Sequence, residues 1–125
     1  MATISEAADA GPASRLPAAV TGLLAALDPP LRPAEIRWAA ATTTTVDTGA
    51  WLLPGRLHVV VGSGRVVVAA AGPRPFVRVL STADAARAAY NHVTGELVFP
   101  DATGVPGLGL HPLVAHDLLG CLVAA

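Results

Sequence analysis

The stretch RLHVVVGSGRVVVAAAG, from Arg56 to Gly72, sets two runs of small and branched apolar residues around a Gly-Ser-Gly. Side chains alternate between the two faces of a strand. Leu57, Val59 and Val61 therefore point one way and His58 and Val60 the other, while Val66, Val68 and Ala70 oppose Val67, Ala69 and Ala71. An antiparallel sheet with one wet face alternates apolar with polar residues, and this hairpin does not. Any fold the chain adopts must cover it twice.

The segments on either side define what cover is available. Leu16, Val20, Leu23, Leu24 and Leu27 recur at helical spacing, which predicts an amphipathic helix over 16–27 with Ser14 as N-cap, ended by Asp28-Pro29-Pro30. From Glu35 the period changes to two, with Ile36, Trp38, Ala40, Thr42, Thr44 and Val46 on one face of a strand. Trp51 to Leu53 continues extended to a Pro54-Gly55 turn, and Phe76 to Leu80 adds a strand beyond the central hairpin. Ser81-Thr82-Ala83-Asp84 has the form of a capping box opening a short helix through Arg87. AAYNHVTGELVFP alternates around Thr94-Gly95, predicting a last hairpin with Tyr90 and His92 on one face. DATGVPGLGL reads as a loop, and His111 to Val123 as a closing helix with an apolar stripe of Val114, Leu118, Cys121 and Leu122.

The fold expected is α+β: an antiparallel β-meander of five to six strands with an N-terminal helix and a C-terminal helix. Residues 1–14 lack apolar periodicity and read as a disordered tail, and 15–125 as a single domain. Two helices can cover one face of such a sheet. The other face, carrying Val60, Val67, Ala69 and Ala71, is then expected to be buried by another protein chain, most simply a second copy. A sheet that curls into a sandwich or barrel is the alternative.

Composition narrows the partner. Charged residues make up 14% of the chain, against roughly 25% in an average soluble domain, and the formal net charge is −1. There is no basic footprint for nucleic acid. Gly62, Gly64 and Arg65 interrupt the longest apolar run, which falls short of the roughly 20 residues of a membrane span. An acidic amino terminus without an apolar core segment and a single cysteine point to a cytoplasmic protein. Eight arginines with no lysine suggest a GC-rich bacterial genome, and they exclude Schiff-base chemistry.

Candidate chemistry is sparse. His111 and His116 are five apart, so they project from different faces of a helix and do not make a metal pair, and no carboxylate completes a ligand set with His58 or His92. No metal or cofactor is expected. Ser81 sits where an N-cap belongs. The glycines of Gly104 to Gly109 are followed by neither Lys nor Ser/Thr, unlike a phosphate loop. Arg56, Arg65, Arg74, Arg78 and Arg87 read as the solvated flanks of an apolar sheet.

HPLVAHDLLGCL spaces His111-Pro112 ten residues ahead of Cys121-Leu122. This resembles the His-Pro-Asn and catalytic Cys-Leu spacing of ubiquitin-conjugating enzymes. The resemblance implies a thioester on Cys121 and a backbone-positioning role for His111, although Leu113 stands where that family has Asn. It extends over a dozen residues. The function expected is a small non-enzymatic interaction or assembly module with no catalytic residue. A Cys121 thioester carrier working with His111, or a small-molecule binder near Trp38 and Trp51, stand as alternatives.

Overall fold

The computed structural model describes residues 11–51 and 53–124, and the first ten residues of the predicted tail lie outside that range. Helix α1 (Gly11–Ser14) and helix α2 (Ala18–Ala25) lead through a 3-10 turn at Pro33–Glu35 into four strands, β1 (Ile36–Val46), β2 (Gly55–Gly62), β3 (Arg65–Ala70) and β4 (Phe76–Ser81). A short helix α3 (Thr82–Ala85) follows, then β5 (Ala89–Asn91), β6 (Glu96–Val98), β7 (Leu108–Gly109) and helix α4 (Pro112–Ala124). The chain is α+β and antiparallel throughout, but the strands fall into two sheets, β1-β2-β3-β4 and β5-β6-β7.

The split corrects the single meander. Ser81 Oγ accepts the Asp84 N–H at 3.1 Å, so the cap predicted at Ser81 starts α3 there and turns the chain off the β4 edge. The later strands then form a second sheet over one face of the first. The glycine-rich loop contributes one of its strands, β7, paired with Glu96 and Leu97.

The central hairpin closes through a two-residue turn. Ser63 at φ 52° and Gly64 at φ 72° both lie in the left-handed region, the requirement of a type I′ turn, and Gly62 pairs with Arg65. Both faces of this hairpin are buried by the chain itself. Leu57, Val59, Val61, Val66, Val68 and Ala70 pack with Leu97, Phe99, Leu108, Leu110, Leu118 and Leu122 from the second sheet and α4. On the opposite face Val60, Val67 and Ala69 pack with Leu16, Val20, Leu24, Leu31, Ile36 and Ala39.

The expectation that another chain covers Val60, Val67, Ala69 and Ala71 is therefore corrected. Val60, Val67 and Ala69 are fully buried and Ala71 is half-buried beneath the N-terminal segment. The two terminal helices occupy opposite faces rather than sharing one. Small side chains explain why one short helix suffices: over Val and Ala, the Leu24 and Val20 side chains reach the sheet without leaving a gap.

Helix α2 has Pro17 at its N-cap position, with no side-chain cap, and Ser14 Oγ instead donates to the Gly11 carbonyl one turn earlier. The last four residues assigned to the tail are thus helical, and Ala13 packs against the core.

In β1 the expected alternation fails. Burial falls on Ile36, Ala39 and Thr42, because the register with β2 shifts between Ile36 and Trp38 and again between Ala41 and Thr45. Each shift inserts unpaired residues, so Ile36 joins the α2 side while Trp38 joins the other. At the second irregularity the Thr42 hydroxyl donates to the Leu57 carbonyl at 2.9 Å. The outer side of β1 is strapped by the 107–109 segment: Thr44 Oγ1 donates to the Gly107 carbonyl at 3.0 Å and accepts the Gly109 N–H at 2.8 Å. Any side chain at Gly109 would collide with Thr43.

Candidate functional site

The β1–β2 connection, residues 47–54, is anchored on its inner half and bare on its outer half. Asp47 Oδ1 accepts the Gly49 N–H at 2.8 Å, and the buried Thr48 presents its carbonyl to the Arg74 N–H at 2.7 Å. Trp51 and Leu53, expected to extend a strand, lie instead in the loop with 87% and 71% of their surfaces exposed. They border an open cleft of about 560 Å³ whose other walls include Val46, Pro54, Asp47 and Arg74. A rigid aromatic body with an apolar neighbour, one acid and one base on its rim suits contact with a polypeptide.

A second, narrower groove of about 270 Å³ follows β4. It is lined by Val79 and Ser81 of β4, by Asp84 and Arg87 from the α3 turn, and by Pro100 and Thr103. Val79 is half exposed, and β4 ends the sheet order with no strand on its outer side.

The chemistry-bearing residues singled out above do not converge. His111 is the N-cap of α4: its Nδ1 accepts the Leu113 N–H at 3.1 Å. Cys121 lies ten residues further along the same helix, about 15 Å away at 1.5 Å per residue. It is half-buried against the core. A nucleophile and its supporting group need to be within hydrogen-bond reach, and these two are held apart by a rigid element. The ring of His92 meets Tyr90 edge to face at 4.9 Å, on the shared face expected from the sequence. Tyr90 in turn donates to the Leu110 carbonyl at 2.7 Å. His116 is exposed. Among the described residues no group of three His, Cys, Asp or Glu side chains could hold a metal ion.

Among the described residues His58 is the one buried titratable group, 7% exposed on the α2 side of the sheet. Burial pushes its pKa below 6.5; its hydrogen bond to the Arg56 carbonyl opposes this and the Arg56 charge adds to it. Glu35 is held below the usual carboxylate value by the Arg32 N–H, which it accepts at 2.9 Å, and by the Ser63 hydroxyl at 2.8 Å. Both groups serve the fold.

The arginines are dispersed rather than gathered into a clamp. Arg65 donates to the carbonyls of Pro29 and Pro30, Arg74 lines the Trp51 cleft, and Arg78 stacks on Phe76 at 4.5 Å while donating to the Val77 carbonyl. Trp38 is half-buried in the core and shares no cleft with Trp51.

No protein-family model, curated protein or solved structure matches the chain. No helix among the described residues is long and apolar enough to cross a membrane.

Proposed function

We propose that the protein is a non-enzymatic assembly module that binds other copies of itself, and that its contact surface is the Trp51 loop rather than the apolar sheet face. The observation that carries this is the exposure of Trp51, 87% of whose surface is free beside the exposed Leu53. The other exposed large apolar residues among those described, Val79, Val93, Val98, Leu113 and Val123, are all aliphatic. An aromatic residue left in water on a loop anchored by Thr48 and Arg74 presents a preformed anchor, and tryptophan is prominent among residues that dominate protein contacts.

A second copy is the occupant favoured by the rim. Asp47 and Arg74 lie on the same cleft, so two clefts facing each other about a two-fold axis set the acid of one against the base of the other. Light scattering on the purified protein should give a mass above that of one chain, and Trp51 emission should shift to the red on dilution. Trp51→Ala should weaken self-association by about 2 kcal/mol, roughly 30-fold in Kd. A Trp51→Ala protein that keeps the wild-type mass and concentration dependence would remove the loop from the interface.

A further inference from the structure

The two edges of the main sheet are treated differently. β1 carries two breaks in its register and is strapped on its outer side by Gly107 and Gly109. β4 pairs with β3 without a single break from Phe76 to Ser81, contains no proline, and has no strand beyond it. Natural sheets blunt bare edges with bulges, prolines, charges or covering segments. β4 has two partial devices: Arg78, whose guanidinium folds back onto the Val77 carbonyl at 3.0 Å, and the 100–103 segment, which borders the groove beside Val79 and Ser81 but makes no hydrogen bond to their main chain. We infer that β4 is a pairing edge whose partner is β4 of a second copy, joined antiparallel about a two-fold axis at Val79.

The register follows from which main-chain groups face outward. Thr82 N–H reaches the Gly64 carbonyl of the hairpin turn, so the inward set on β4 is Phe76, Arg78 and Leu80. The outward N–H and carbonyl groups then belong to Val77, Val79 and Ser81. A two-fold axis at Val79 sets Val79 against the partner's Val79 and Val77 against the partner's Ser81, which supplies about six main-chain hydrogen bonds once Arg78 swings away from Val77. Val67 and Val79 are already neighbours across β3 and β4, so the α2-side row of valines runs unbroken from one copy to the other. On the other side Arg78 comes to lie opposite the partner's Leu80, beside the groove that holds the partner's Asp84. The result is a continuous eight-stranded sheet that covers the exposed half of Val79.

This inference rests on the reading that the chain self-associates, but it uses a surface other than the Trp51 loop. With two independent two-fold contacts the assembly exceeds a dimer. The test is light scattering on wild type, Trp51→Ala, Val79→Lys and the double variant, with amide hydrogen exchange at Val77, Val79 and Ser81. Val79→Thr, which keeps strand propensity, serves as the control and should leave the mass unchanged. Val79 is half exposed, so lysine there leaves the single copy folded, as circular dichroism will check. Each single variant should fall to a dimer and the double variant to a monomer. The three amides should exchange about tenfold or more slowly in concentrated than in dilute wild type, and lose that difference in Val79→Lys. A Val79→Lys protein with wild-type mass, or amides that exchange equally fast at every concentration, overturns the edge pairing. If Trp51→Ala keeps the wild-type mass while Val79→Lys dissociates, the loop reading fails and the edge pairing stands.

Discussion

Val67 lies in the middle of β3, fully buried, paired with Val60 on one side and Val79 on the other, and beneath α2. Val67→Glu puts a carboxyl group among Val20, Leu24 and Leu31, on a face where the buried imidazole of His58 stands opposite Ala69 rather than Val67. The cheapest response that keeps the fold is to protonate the acid. Holding a group of ordinary pKa near 4.3 neutral at pH 7 costs about 1.36 kcal/mol per unit over roughly 2.7 units, or about 3.7 kcal/mol. The neutral acid still leaves buried polar atoms unpaired, a further cost of about 1–3 kcal/mol, and overfills the valine site by about 1–3 kcal/mol more. The sum, about 6–10 kcal/mol, is comparable with the total stability of a typical domain, about 5–15 kcal/mol. Val67→Glu should therefore be unfolded or nearly so at pH 7 by circular dichroism. Relative to wild type at the same pH, it should regain most of the first 3.7 kcal/mol near pH 4, where the acid is neutral in either state. Val67→Gln, which cannot titrate, should show the remaining loss at both pH values. Val67→Ala, which removes two methyl groups, should cost about 2 kcal/mol. A Val67→Glu protein that is folded at pH 7 with wild-type melting behaviour and reduced mass would refute the reasoning, because it would mean that α2 does not cover this face.

Further outcomes follow from single contacts. Leu24→Ala, at a fully buried helix position, should destabilise by about 2–5 kcal/mol in denaturant titration. His111→Ala should cost about 0.5–1 kcal/mol, and His111→Asp should restore it, since either side chain can accept the Leu113 N–H; a catalytic histidine would not be rescued this way. His58 has a folded pKa below its unfolded value, so the unfolded chain takes the proton first and stability should fall as the pH drops below about 6.5. His58→Gln should flatten that part of the pH profile. Glu35, also lowered, contributes stability above its unfolded pKa that is lost as the pH falls through the folded one, and Glu35→Gln should remove that component of acid unfolding.

Much of the secondary structure was legible because local signals and the fold agree. The type I′ turn at Ser63-Gly64, the cap at Ser81 and the stripe of Val114, Leu118 and Leu122 each stand where the chain pattern places them. The misreadings have two physical sources. Bulges are invisible to a period of two, which puts Ile36 and Trp38 on one face of β1 although they serve opposite cores. Layer assignment is non-local: nothing in the stripe of Leu16, Val20 and Leu24 says which face it covers, and its destination depends on where Pro29 to Arg32 delivers the chain into β1. Arg65, reaching back to Pro29 and Pro30, is part of what fixes that delivery.

The site was less legible than the fold for a related reason. A bare hairpin of valines and alanines looks like an interaction surface in a sequence, yet small apolar residues are also what a closely seated helix requires. Val60, Val67 and Ala69 are of the second kind, and the α2 leucines supply the bulk that they lack. Exposure of Trp51 could not be read from its neighbours, because Ala50, Leu53 and Pro54 fit a buried turn equally well. What exposes Trp51 is the anchoring of Thr48 to Arg74 from a different connection, which holds the inner half of the loop against the sheet and leaves the outer half outside it. The β4 edge was hidden differently. FVRVLS reads the same as an edge or a central strand, and only the turn forced by Ser81, which takes the chain onto the other sheet, leaves its outer hydrogen bonds unmade. An exposed loop or an open edge of this kind is a property of what the chain fails to cover. It becomes visible only when every local preference has already been placed.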